Sequence, residues 1–193
     1  RARADSGVQG DGMPAHRTPG VPVSRRRLTR ALGLIAALST VAAIPTSATA
    51  ATCAYRAAWG TPDRAAAAEV VGLVNEHRAG LGLTPLGSAS VLVSAAEWKS
   101  GHMAANGYFS HEDAGIIVNG RPRTFGERVG DCGVPGGAGE NIAAGQRTPP
   151  EVMRGWLNSP GHRRNIERPG YRSIGVGVVS VSGGRIIWAQ VFS

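Results

Sequence analysis

Beyond residue 60 the apolar positions recur first at helical spacing and then at strand spacing. Val70, Val71, Leu73, Val74 and His77 make one helical stripe. Thr61-Pro62-Asp63 ahead of it offers a cap, a proline for the first position and an acid for the first turn. Gly80 ends this helix, and residues 82–87, with Pro85, read as a loop. Ser88 opens a second helix whose Leu92, Ala95, Ala96, Trp98 and Met103 turn inward until Asn106-Gly107 stops it. Residues 112–123 are polar, with Ile116-Ile117-Val118 as a short edge strand, and residues 124–129 suit one or two helical turns. Residues 131–139 are rich in glycine and read as a loop.

A firmly signalled helix follows. Thr148 is its cap, Pro149 its first residue and Glu151 the acid of a capping box, while Val152, Trp156 and Leu157 form its inner face. Polar groups flank it, Gly139-Glu140-Asn141 on one side and Pro160-Gly161-His162-Arg163-Arg164-Asn165 on the other. The period then changes. Ile174, Val176, Val178 and Val179 lead into Ser182-Gly183-Gly184, and Ile186, Ile187, Trp188, Val191 and Phe192 come after, which predicts an antiparallel C-terminal β-hairpin. Helices first and strands last, without βαβ alternation, make the fold class α+β.

At 193 residues one domain is expected. The formal charge of +8 is uneven: residues 1–50 hold seven Arg against two acids, the remainder thirteen Arg and one Lys against eleven acids. With no basic run beyond Arg163-Arg164 in the folded part and ten aromatic residues in all, the pattern excludes a nucleic-acid binder.

Residues 1–50 read as a signal region. Residues 23–28 supply a basic start, residues 31–44 an uncharged apolar run, and Ala48-Thr49-Ala50 a small-residue cleavage site. The run is short of the roughly 20 apolar residues that span a bilayer. Ser24-Arg25-Arg26-Arg27-Leu28 resembles a twin-arginine signal with Thr29 in the usual apolar place, and Sec export is the alternative. Residues 1–12, upstream of Met13, are expected to be a start-site artefact, residues 13–50 the export signal, 51–60 a short lead and 61–193 the domain. The mature protein is expected to begin near Ala51, outside the cell, touching the membrane only during export. In that compartment Cys53 and Cys132 are expected to form a disulfide, with two independent buried thiols as the alternative.

The motifs VVGLVNEHRAGLGLTPL, AANGYFSH, GENIAAG, WLNSPGHRRNI, YRSIGVGV and IIWAQVFS, in that order, resemble those of the bacterial CAP family. That family groups cysteine-rich secretory proteins, antigen 5 and pathogenesis-related proteins, and the likeness runs from about residue 65 to residue 193. It implies a three-layer α-β-α sandwich with a central cleft holding two histidines and two acids. His111, Glu140 and His162 match three of these, and Ser159 stands where eukaryotic relatives carry the fourth, a Glu.

Two imidazoles and a carboxylate suit a divalent metal such as zinc, or general acid and base work near neutral pH. The alternative is that Glu140 accepts hydrogen bonds and locks its loop. Spacings of twenty-nine and twenty-two residues form no local motif, so convergence of the trio is implied by the resemblance alone. The expected function is binding of a lipid, an envelope glycan or a protein partner in a His/Glu cleft. A metal-assisted hydrolase of peptide or envelope polymer is the alternative, with His111 and His162 as ligands and Glu140 as ligand or base. Asn141 and Asn165 are expected to satisfy loop backbone, Trp98, Trp156 and Trp188 to be core, and His77 and His102 to lack partners.

Overall fold

The computed structural model describes residues 53–134, 136–181 and 183–193. The expected export signal and cleavage site lie outside the described residues. Residues 51–60 contain a 3-10 turn, Ala57–Trp59. Helix α1 (Arg64–Gly80) is capped by Asp63, whose carboxylate accepts from the Ala66 amide at 2.9 Å, and not by Thr61 as expected. The backbone decides this: Pro62 bridges to Val179 and the Asp63 amide donates to Val178, so the chain is still paired to a strand at the position where Thr61 would cap.

Strand β1 (Gly87–Ser88) pairs in parallel with Ser173 and Ile174, which delays helix α2 to Ser90–Asn106. Gly107, left-handed at φ 66°, ends it. Strands β2 (Asp113–Val118) and β3 (Arg121–Arg123) form a separate hairpin. Its two-residue turn, Asn119 (φ 51°) and Gly120 (φ 76°), is of the left-handed kind that Asn-Gly favours. Helix α3 (Phe125–Asp131) begins with a reciprocal capping box between Thr124 and Glu127. Strand β4 (Gly139–Ala144), helix α4 (Pro149–Asn158), helix α5 (Pro160–Glu167), strand β5 (Ser173–Ser180) and strand β6 (Ile186–Phe192) complete the chain. Neither β4 nor α5 was expected; α5 is a separate helix started by Pro160 at its first position.

The main sheet runs β1-β5-β6-β4, antiparallel except at β1. Its faces alternate along β6. Trp188 and Phe192 pack with Val70, Val74, Val152, Trp156 and Ile166 of α1, α4 and α5. Ile187, Ala189 and Val191 pack with Leu92, Ala95, Ala96 and Met103 of α2. This is the three-layer α-β-α sandwich with its C-terminal hairpin. Gly175 and Gly177 let α2 lie directly on β5: a Cβ at Gly175 would meet the backbone of Leu92 at 2.0 Å, and one at Gly177 that of Ala96 at 2.3 Å. Among the described residues no helix is long and apolar enough to cross a membrane.

Cys53 and Cys132 are disulfide-bonded, with Cα atoms 5.2 Å apart and a sequence separation of 79. Closing a loop of that length restricts the unfolded chain by about 4 to 5 kcal/mol. Reduction is therefore expected to lower the melting temperature by on the order of 10 °C. Equal melting curves with and without a phosphine reductant, after mass analysis shows two free thiols, would contradict this.

Candidate functional site

The site is built on a buried ion cluster that joins five elements. Asp113, at the start of β2, accepts from Lys99 of α2 at 2.9 Å and Arg128 of α3 at 2.6 Å through Oδ1, and from Arg123 of β3 at 2.8 Å through Oδ2. Arg128 also donates to Glu140 of β4, so one guanidinium bridges two carboxylates. Burial alone would raise the Asp113 carboxyl, but the charges of Arg128 and Lys99, with hydrogen bonds from Lys99 and Arg123, hold it below the usual carboxylate range. Burial, helped by the charge of Arg128, brings Lys99 down to about 8.

These cations also hold the segment that carries His111. Lys99 donates to the carbonyls of His111 at 3.1 Å and Glu112 at 3.0 Å, and Arg128 donates to the His111 carbonyl at 3.2 Å. The half-exposed His111 ring then meets the buried Glu140 carboxylate, Nδ1 to Oε1, at 2.8 Å. Since a carboxylate only accepts, Nδ1 carries the proton and Nε2 is the ring atom left available.

His162 comes from the first turn of the unexpected helix α5. Asn165 of the same helix donates to the Glu140 carbonyl at 3.1 Å and to Asn141 at 2.9 Å, and Asn141 donates to the His162 carbonyl at 3.1 Å and to Gln190 at 3.0 Å. Both asparagines thus stitch α5 to β4. The His162 imidazole is half-buried, and burial, with the nearby charge of His111, lowers its pKa.

Beside His162 lies an open groove of about 470 Å³, walled by Phe109, Ile142, Ala143, Ala144, Val152 and Trp156, with Gln146, Gly155, Ser159 and Arg185 at its margins. Of the expected trio, His162 lines it; His111 and Glu140 are not among its walls. The model of the CAP cysteine-rich secretory protein family matches residues 71–192, most of this architecture. The chain belongs to that family.

Among relatives of this CAP domain, the uncharacterized protein YkwD of Bacillus subtilis (strain 168) is 42% identical over 124 residues, 64% of this chain and 45% of the relative. The uncharacterized membrane protein YlbC of the same strain is 33% identical over 111 residues, 57% and 30% respectively. The chain therefore spans less than half the length of either. An extracellular protein containing an SCP domain from Bacillus anthracis str. Ames superposes with TM-score 0.58 at 30% identity, covering 67% of this chain and 40% of that one. An outer surface protein from Borrelia burgdorferi gives TM-score 0.60 at 20% identity over 69% and 96%, which bears on the fold alone.

The CAP trio does not fit the three-donor metal set expected of it. Both oxygens of Glu140 already accept, one from His111 and one from Arg128. Among the described residues no group of three or more His, Cys, Asp or Glu side chains is placed to hold an ion. Ser159, at the place of the fourth acid, ends α4 and precedes α5. Glu151 is exposed and accepts from the Arg147 amide at 2.8 Å.

Two other histidines have partners that the sequence reading denied them. His77 pairs with Glu167 at 2.9 Å. His102 stacks on Trp98, ring centres 4.4 Å apart, and its Nδ1 lies 2.7 Å from the Tyr108 hydroxyl. The Lys99 ammonium lies 3.3 Å from the same hydroxyl, so the imidazole, the phenol and a cation share one buried pocket. Burial lowers His102 to about 4 from 6.5, with Lys99, Arg123 and Arg128 adding to it and Asp113 opposing. The unfolded chain binds the extra proton below pH 6.5, so stability from this group is present above 6.5 and drains away toward pH 4. The gap in melting temperature between wild type and His102→Phe should narrow as pH falls through that window. A gap independent of pH would contradict a neutral His102.

Proposed function

We propose that this CAP domain is exported and acts by holding a ligand in the groove beside His162. The observation that carries the reading is the groove itself: it is open, mainly apolar, and edged by His162, Gln146 and Arg185. The burial of Glu140, whose side chain is 1% exposed and ion-paired with Arg128, supports binding over hydrolysis, since it keeps that carboxylate away from a water or substrate in the groove. Export is supported by the basic start, apolar run and cleavage site within residues 23–50, and by the extracellular description of the Bacillus anthracis protein that shares the fold at 30% identity.

Gly155 provides the test. It sits on α4 at the groove margin, where an added Cβ would find only Gln146 Nε2, at 3.7 Å. Gly155→Leu should therefore fold normally and obstruct the groove. Laurate, soluble peptidoglycan glycan and short peptides, tested by thermal shift, should include one class that stabilises the wild type and not the variant. If no class does, or if either polymer is cleaved at a rate that His162→Ala abolishes, the binding reading fails.

A further inference from the structure

The groove runs along the outer edge of β4. In an antiparallel ladder alternate residues turn both backbone groups toward the same neighbour. Gly145 donates to Ile186 of the β6 side at 2.9 Å, so Asn141, Ala143 and Gly145 face β6. Glu140, Ile142 and Ala144 consequently point outward. Two of their carbonyls are taken by side chains: Glu140 by Asn165 at 3.1 Å, and Ile142 by the Trp156 indole at 3.3 Å. Among the described residues nothing takes the Ile142 N–H or either backbone group of Ala144, and both residues line the groove.

Two more groups there lack partners. Gln146 Oε1 is buried without a hydrogen bond, although its residue lines the groove. Arg185, exposed at the same margin, has no carboxylate among the described residues. A buried polar group such as Gln146 Oε1 is normally paired, and open backbone groups on a sheet edge pair with an added strand, so this row marks the chemistry of a ligand that would complete it. The row alternates donor and acceptor at strand spacing, beside an apolar wall and a cation.

We propose that the groove holds an extended peptide bearing a carboxylate, which adds to the edge of β4 through Ala144 and sets the carboxylate against Arg185. The proposal rests on the binding reading above and names its ligand class. Strand addition gives affinity through main-chain bonds and selectivity through pockets for alternate side chains. Here Ala144 exchanges a full pair, Ile142 adds one donor, and Gln146 Oε1 accepts from a further peptide amide. Val152, Trp156 and Phe109 supply the apolar wall. A hydrocarbon ligand would cover the same wall and leave every one of these polar groups unpaired.

The test uses a hexapeptide library with free carboxyl termini, selected on the immobilised protein. Selected peptides are remade with a C-terminal amide, and with alternate backbone amides N-methylated. Ala144→Pro is the main variant, because it removes an N–H that serves no bond of the sheet, and proline is tolerated at such an edge position. Arg185→Ala tests the carboxylate. Binding is expected to fall at least about tenfold with N-methylation, with Ala144→Pro at unchanged circular dichroism, and with Arg185→Ala, which should also make acid and amide peptides equivalent. If Ala144→Pro does not fold, the N-methylated peptides decide. Peptides indifferent to N-methylation overturn the proposal. So does laurate or glycan binding that Gly155→Leu blocks when no peptide binds, and in that case the groove reading stands. If Gly155→Leu alters the binding of no probe, both fall.

Discussion

Replacing Arg128 with leucine is expected to cost about 3 to 5 kcal/mol, the usual result of removing one partner of a buried ion pair. For a domain of this size that is roughly 6 to 20 °C in melting temperature. The Arg128 side chain is 0% exposed, and the carboxylates it joins are nearly as buried, with Asp113 at 0% and Glu140 at 1%. Asp113 would keep Lys99 and Arg123, but Glu140 would keep only His111. The loss should therefore fall mainly on Glu140. A second change, Glu140→Gln, made in the Arg128→Leu background should recover part of the stability, which a double-mutant thermal cycle measures. A drop of less than a few degrees in the single variant, or no recovery in the double, would show that Arg128 does not hold the cluster.

Gly175→Ala should be at least as damaging by a different route. The new methyl would stand 2.0 Å from the Leu92 carbonyl carbon and 2.2 Å from the Val93 amide nitrogen, both helix backbone. A side chain can rotate away from such an overlap, but a helix must move as a whole and drag its core face with it. Overpacking commonly costs 1 to 3 kcal/mol and sometimes more; with backbone as the obstacle, about 3 kcal/mol or more is expected. Gly72→Ala is the control. It lies in the middle of α1 with nothing within 4 Å of an added Cβ, so the same substitution should stabilise by about 0.4 to 1 kcal/mol. Chemical denaturation of both variants checks the contrast in sign. A Gly175→Ala protein as stable as wild type would mean that α2 does not sit this close to β5.

The long periodic segments were legible because their pattern is their packing. The stripes of α1 and α2, the helical turns of α3, the Thr148 cap of α4 and the β5–β6 hairpin all appear near the expected positions. Strand β4 was not legible, because its polar residues Glu140 and Asn141 are buried on side-chain partners and so present no inside–outside alternation. Helix α5 was hidden by its Pro-Gly start and its polar middle.

The trio was named by resemblance, but the cations that position it were overlooked. A signal for them was present. Lys99 stands four residues from both Ala95 and Met103, on the buried stripe of α2, and Arg78 stands four from Val74 on that of α1. A charge inside an apolar stripe is a buried charge, and it needs partners brought from elsewhere in the chain. Arg78 finds its own in the carbonyls of Thr84, Ile166 and Arg168, where it secures the end of α5. Which partners these are depends on the fold, and single-element periodicity does not contain them.

The side chains that cover β4 bear on self-association. A sheet edge with open backbone groups invites copies of the same chain to stack on it without limit. One edge of this sheet ends in β1, only two residues long, too short to template another strand. On the other edge Asn165 and Trp156 occupy the carbonyls of Glu140 and Ile142, leaving a window about one residue pair wide at Ala144. A window of that width admits the end of a short segment but denies a second domain the continuous ladder that fibrils require. Asn165 and Trp156 therefore close most of this edge to another strand, and Asn165 does so without being part of the apolar core.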